Sequence, residues 1–120
     1  MRVICSGSRD WTDRAAVVRE LACLIEEFGP DVTVVHGDCR GADRIAAAEA
    51  RTLGLAVEAF PADWVKYGRA AGPIRNQQML NSGVDLVICF HSDLFQGSRG
   101  TLDMYTRAQR IGTPIRVVPS

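Results

Sequence analysis

The sequence predicts a single α/β domain, a doubly wound five-stranded parallel sheet in the order 3-2-1-4-5 with helices on both faces. Three observations carry this. Short apolar runs alternate with helix-length amphipathic segments along the whole chain, the pattern of strands joined by right-handed helical crossovers. The runs are continuous rather than alternating, as in strands covered on both faces. The glycines also divide by position: Gly29, Gly54, Gly83 and Gly112 stop helices, whereas Gly7, Gly37, Gly41, Gly68, Gly72, Gly97 and Gly100 fall in loops leaving the carboxyl ends of strands. That asymmetry marks one edge of the sheet as the place where backbone approaches something closely.

Each element has its own signal. Arg2–Ser6 is a short apolar strand. From Thr12 to Phe28, the residues Val17, Val18, Leu21, Leu24, Ile25 and Phe28 form one helical stripe, which Gly29-Pro30 ends. Val32–His36 reads as the second strand, and Ala42–Leu53 as a helix whose Ala46, Ala47, Ala50 and Leu53 permit close approach to a sheet. Leu55–Phe60 is the third strand, followed by a loop with local order over Pro61–Gly72. Pro73 suits the first position of a helix running to Asn81. Val84–Phe90 is the most hydrophobic strand, Gly100–Ile111 the last helix and Ile115–Val118 the closing strand.

At 120 residues the chain can bury a core without disulfides or metals. No apolar stretch approaches the roughly 20 residues needed to span a bilayer, so a cytoplasmic protein without membrane contact is expected. Cys5, Cys23, Cys39 and Cys89 are widely spaced, with no Cys-x-x-Cys pair and no histidine cluster. Neither a metal nor another cofactor is called for, and the thiols are expected to be inert. A formal net charge of zero argues against a protein that coats nucleic acid with positive charge. Of the 14 basic residues 13 are arginine, and Arg9, Arg40, Arg69, Arg75 and Arg99 lie in or beside glycine loops. Their planar forks suit phosphate or carboxylate.

The tripeptide Gly-Ser-Arg occurs twice, at Gly7-Ser8-Arg9 and Gly97-Ser98-Arg99. A glycine turn after a strand exposes backbone N–H groups, and a following helix adds its unpaired first-turn donors and positive dipole end. In the expected strand order, both turns reach the switch point between the first and fourth strands, where open α/β sheets bind ligands. Trp11 and Trp64 follow loops at that mouth and either stack a base or plug the edge of the core. Asp38, Asp43 and Asp63 lie on the same loop face. Asp43 is also a first-turn helix residue and Asp63 a candidate cap. His36 ends a strand with a local hydrogen bond, and His91 reaches the cleft rim. Arg75 is placed in the first turn of the Pro73 helix, where it works against the helix dipole and asks for an anion, either a ligand phosphate or Asp63.

The blocks Gly7-Ser8-Arg9-Asp10-Trp11, Val35 to Asp43, Pro61-Ala62-Asp63-Trp64, Ala71 to Asn76 and Gly97 to Thr101 together resemble the YspA-type, cpYpsA-related branch of the SLOG superfamily. The resemblance implies a Rossmann-like fold, nucleotide or nucleotide-derived ligands, a bacterial or phage setting and a homodimer. The superfamily includes the LOG phosphoribohydrolases, the DNA-processing protein DprA and molybdenum-cofactor carriers. LOG enzymes carry Pro-Gly-Gly-x-Gly-Thr-x-x-Glu, with an upstream arginine. Here Gly97, Gly100 and Thr101 align with its phosphate portion and Arg75 with the arginine, but Met104 stands at the glutamate position. Asp103 is one residue early, a rotation of about 100° on a helix.

Three functions therefore compete: a sensor or carrier of a nucleotide-derived ligand, which leads; a nucleotide N-glycosidase of the LOG type, with Asp43, Asp63 or Asp103 as candidate acids; and DprA-like binding of single-stranded DNA, which the charge disfavours. The ligand site is expected at Gly7, Ser8, Arg9, Trp11, Gly37, Gly41, Asp43, Asp63, Trp64, Arg75, Asn76, Gly97, Ser98, Arg99, Gly100 and Thr101.

Overall fold

Val3, Ile4 and Cys5 are fully buried at the centre of the chain's first strand, and the rest of the fold is arranged around it. The computed structural model describes residues 1–93 and 99–119. The strands are β1 (Arg2–Gly7), β2 (Thr33–His36), β3 (Ala56–Ala59), β4 (Leu86–Phe90) and β5 (Ile115–Val118). All pair in parallel, in the order β3-β2-β1-β4-β5. This is the predicted sheet. Alternate β1 residues feed opposite cores, Val3 and Cys5 one and Ile4 the other, as the period of two requires.

Helices α1 (Arg14–Phe28) and α2 (Ala42–Thr52) cover the first face. Val17, Leu21 and Leu24 of α1 and Ala42, Ala46 and Ala50 of α2 pack with Val34, Ile88 and Phe90. Helices α4 (Ala71–Asn81) and α5 (Arg99–Ile111) cover the other, through Met79, Leu80, Met104 and Ala108 against Val35, Val87 and Cys89. No helix among the described residues is long and apolar enough to cross a membrane.

Three local expectations need correction. Helix α1 starts at Arg14 rather than Thr12, because the Asp13 carboxylate accepts the Ala16 N–H at 3.1 Å and caps it. At its far end Phe28 is half exposed and does not join the buried stripe. The Pro61–Gly72 loop contains a short helix α3 (Trp64–Tyr67) and a 3-10 turn (Gly68–Ala70) leading into α4. Pro73 is therefore the third residue of α4 and not the first. Proline is tolerated there because first-turn N–H groups have no intrahelical acceptor. Arg75 moves accordingly into the second turn.

Candidate functional site

The carboxyl ends of β1 and β2 and the amino-terminal halves of α4 and α5 enclose a cleft of about 360 Å³. Ser6 to Asp10, Asp43, Arg75, Asn76 and Arg99 to Thr101 line it. A second lobe of about 450 Å³ adjoins it, lined by Gly37, Asp38, Arg44, Pro61, Ala62 and Trp64. Arg9, Cys39, Arg40 and Arg75 border both lobes. Of the expected positions, Gly7, Ser8, Arg9, Gly37, Asp43, Trp64, Arg75, Asn76, Arg99, Gly100 and Thr101 gather around these two lobes. Gly97 and Ser98 lie outside the described residues.

The glycines that mark this edge do approach something closely, and it is the protein itself. A Cβ at Gly7 would lie 2.5 Å from the Phe90 carbonyl oxygen and 2.6 Å from the Ala42 Cβ. At Gly37 it would strike the Arg75 guanidinium, and at Gly41, where φ is +80°, the Ser8 carbonyl. Several of the turn amides are also occupied. Ser8 N–H donates to the Phe90 carbonyl at 3.0 Å, and the Ser8 carbonyl accepts from Ala42 and Trp11. The Gly37 N–H donates to Asp43 Oδ2 at 2.8 Å, and the nearby Gly7 and Cys39 amides favour the charge of the same carboxylate. Asp43 thus sits beside the expected phosphate cradle, tying the Gly37 turn to the start of α2. It is only 4% exposed. Burial pushes its pKa up to about 6 despite those amides and the nearby positive charge of Arg75.

Arg75 is 6% exposed. Its Nη1 donates to the Gly37 carbonyl at 2.5 Å and its Nε to Asn76 Oδ1 at 3.0 Å, while Nη1 and Nη2 each lie 3.8 Å from Cys39 Sγ. Of the two anions expected for it, Asp63 is not its partner in this geometry. Asp63 is exposed and caps α3 by accepting the Lys66 N–H at 3.0 Å. Among the described residues no carboxylate lies within ion-pair distance of Arg75, Arg9 or Arg99.

The two indoles separate. Trp11 is buried against Phe90, with ring centroids 5.6 Å apart, and its Nε1 donates to the Asp13 carbonyl. It is core and presents no free face to the two lobes. Trp64 is half exposed in the second lobe, beside Gly72. Asp103 lies outside both lobes, accepting from Asn76 Nδ2 and Arg107 Nε at 2.9 Å each. Met104 is fully buried in the core beneath α5, so the position of a LOG-type glutamate faces the sheet.

His36 is the last residue of β2, and His91 directly follows the end of β4. Each Nδ1 accepts a backbone N–H from two residues on, Asp38 at 3.0 Å and Asp93 at 2.9 Å, which leaves the neutral ring's proton on Nε2. Burial lowers the pKa of His36. His91 borders a smaller cavity of about 220 Å³ with Ser8 and Asp10, apart from the two lobes. Burial raises the Cys5 and Cys89 thiols, Cys89 to about 12, which keeps both protonated. Cys39 and Arg40 line the main cleft as part of the Gly37 to Asp43 loop, and Ser6, Asp10 and Met79 line it without having been expected to. Asp10, Cys39 and Arg40 sit inside the glycine blocks, which was the available signal; Ser6 and Met79 belong to a strand and a helix stripe and carry none.

Residues 1–67 match the YspA, cpYpsA-related SLOG family. The "Gene 61 protein" of Mycobacterium phage D29 is 38% identical over 119 residues, covering 95% of this chain and 93% of that protein. The X-ray structure of DNA processing protein A (DprA) from Streptococcus pneumoniae superposes with a TM-score of 0.72 at 17% identity. That likeness takes in 100% of this chain and 50% of the DprA chain, and at such identity it speaks for the fold alone. On the match across more than half its length and the full-length phage relative, the chain belongs to the YspA, cpYpsA-related SLOG family.

Proposed function

We propose that the two-lobed cleft binds a nucleotide or nucleotide-derived phosphorylated molecule and releases it unchanged, as a sensor or carrier. The observation that carries this reading is Arg75, a buried guanidinium bordering both lobes with no carboxylate in ion-pair range among the described residues. A buried cation of this kind favours an anionic partner. Arg9, Arg99 and the first turn of α5 add positive potential, and Trp64 offers a face for a base. Hydrolysis of the LOG type is disfavoured by Met104 in the core and by Asp103 bound to Asn76 and Arg107.

Thermal-shift and calorimetric titration with nucleotides tests the reading. A ligand at 100 times its Kd adds about 2.7 kcal/mol to stability. Arg9→Ala, which truncates an exposed side chain, should weaken binding by about 1.5–3 kcal/mol, the range of a charge-assisted hydrogen bond, at unchanged apo stability. Full affinity in that variant counts against this cleft.

A second reading, single-stranded DNA, is favoured by the fold shared with DprA and opposed by the zero net charge. Steeply salt-dependent oligonucleotide binding would support it. The leading reading takes residues 1–120 as one binding domain working in the cytoplasm as a homodimer. Exposed Phe28 and Ile111 give the helix faces apolar surface for pairing, and a monomer in sedimentation at micromolar concentration speaks against the dimer.

A further inference from the structure

We propose that the ligand carries an internal diphosphate joining two moieties, with the bridge over Arg9, Arg40 and Arg75 and one moiety in each lobe. This rests on the nucleotide-binding reading and narrows it. Each lobe, at about 360 and 450 Å³, is by itself in the size range of small-molecule pockets, about 300–1,000 Å³. They meet along Arg9, Cys39, Arg40 and Arg75, which border both. The most cationic strip is therefore in the middle of the combined cleft and not at one end. A nucleoside monophosphate carries its charge at a terminus. With its phosphate on this strip and its nucleoside in one lobe, the other lobe stays unused.

The charges agree with an internal bridge. Five arginines and three aspartates line the two lobes together, an excess of two positive charges when all are ionised, and a diphosphate diester carries two negative ones. Arg40 and Arg44 are already paired, with Asp10 and Asp38 at 3.5 Å each. Arg9 and Arg75 on the strip have no such carboxylate among the described residues. Their planar forks suit a diphosphate, whose oxygens offer bidentate acceptors on both phosphorus atoms. The lobe ends differ in kind. Asn76, Thr101 and Met79 line the first, whereas the second sets the ring of Trp64 and Pro61 beside Asp38 and Arg44, so the two moieties should be unlike in their contacts, with an aromatic face offered in the second.

The test is calorimetric titration of the full chain with nucleoside 5′-monophosphates, dinucleoside diphosphates and dinucleoside monophosphates, each with the four common bases. The expected result is that a dinucleoside diphosphate binds at least tenfold more tightly than its mononucleotide, and that Arg9→Ala removes most of that advantage. Equal affinity for the mononucleotide overturns the diphosphate proposal and leaves the nucleotide reading standing. Equal or tighter binding of the dinucleoside monophosphate overturns it in favour of a nucleic-acid strand. Binding of none of the three overturns both.

Discussion

The wall formed by the β1 turn and the β2–α2 loop is closed on itself, whereas the wall formed by α4 and α5 turns polar groups toward the cleft. In the first, Ser8 N–H is taken by Phe90, the Gly37 amide by Asp43, and the glycines make room for Ala42, Arg75 and the Ser8 carbonyl. In the second, Arg75 Nη2 has only Cys39 Sγ, at 3.8 Å, and a Cβ at Gly100 would meet nothing within 4 Å. Both walls look alike in sequence, glycine beside serine and arginine. The difference teaches that a glycine-rich turn reports close approach without saying what approaches, and that an internal carboxylate can take the place of a ligand's phosphate.

The sharpest way to break this contrast is at Trp11, which belongs to the closed wall. Being 4% exposed and packed at a tilt of 58° against the Phe90 ring, it should cost about 3–5 kcal/mol of unfolding free energy when replaced by alanine, read from urea denaturation. A loss under about 1 kcal/mol would mean that the indole is free to serve the ligand and that the first wall is open after all.

Asp43 gives the next effect, and its sign follows from burial. Its folded pKa, about 6, lies above its ordinary value of 3.8, so the folded state holds the proton more tightly. The penalty of ionised Asp43 is fully present above about pH 6 and relieved as pH falls toward 4, a swing of about 3 kcal/mol. Stability of the wild type relative to Asp43→Asn should therefore rise as pH falls from 7 to 4. Parallel stability curves over that interval would show that the carboxylate is as well solvated as a surface one.

Much of this was legible from residues alone, and the reasons are physical. A run such as Leu86–Phe90 is too apolar to be anything but buried, and alternation with helices then leaves few topologies, so the strand order followed. The cleft edge was legible because loop glycines cluster at one end of the strands. What stayed hidden depends on contacts distant in sequence. The 38-residue step from Gly37 to Arg75 makes the guanidinium a buttress of the opposite loop, and no periodicity encodes that. Helix α3 has no buried residue and hence no apolar stripe to announce it. Pro73 misled because a proline fits any position in a helix's first turn.

The smallest expected effect on stability is at Trp64, the counterpart of Trp11 on the open side. It is half exposed, on a four-residue helix with no buried side chain, and its ring rests beside Gly72, with Cη2 3.6 Å from where a Cβ would stand. Truncation removes little burial, so Trp64→Ala should leave the unfolding free energy of the apo protein within about 0.5 kcal/mol, as for a surface substitution. Its cost should instead fall on binding. A base stacked on an aromatic ring is worth about 1–3 kcal/mol by alanine substitution, so nucleotide affinity should drop by about fivefold or more, and Trp64→Phe should restore part of it. A large apo loss with unchanged affinity would move Trp64 into the same class as Trp11 and leave the second lobe without its aromatic wall for a base.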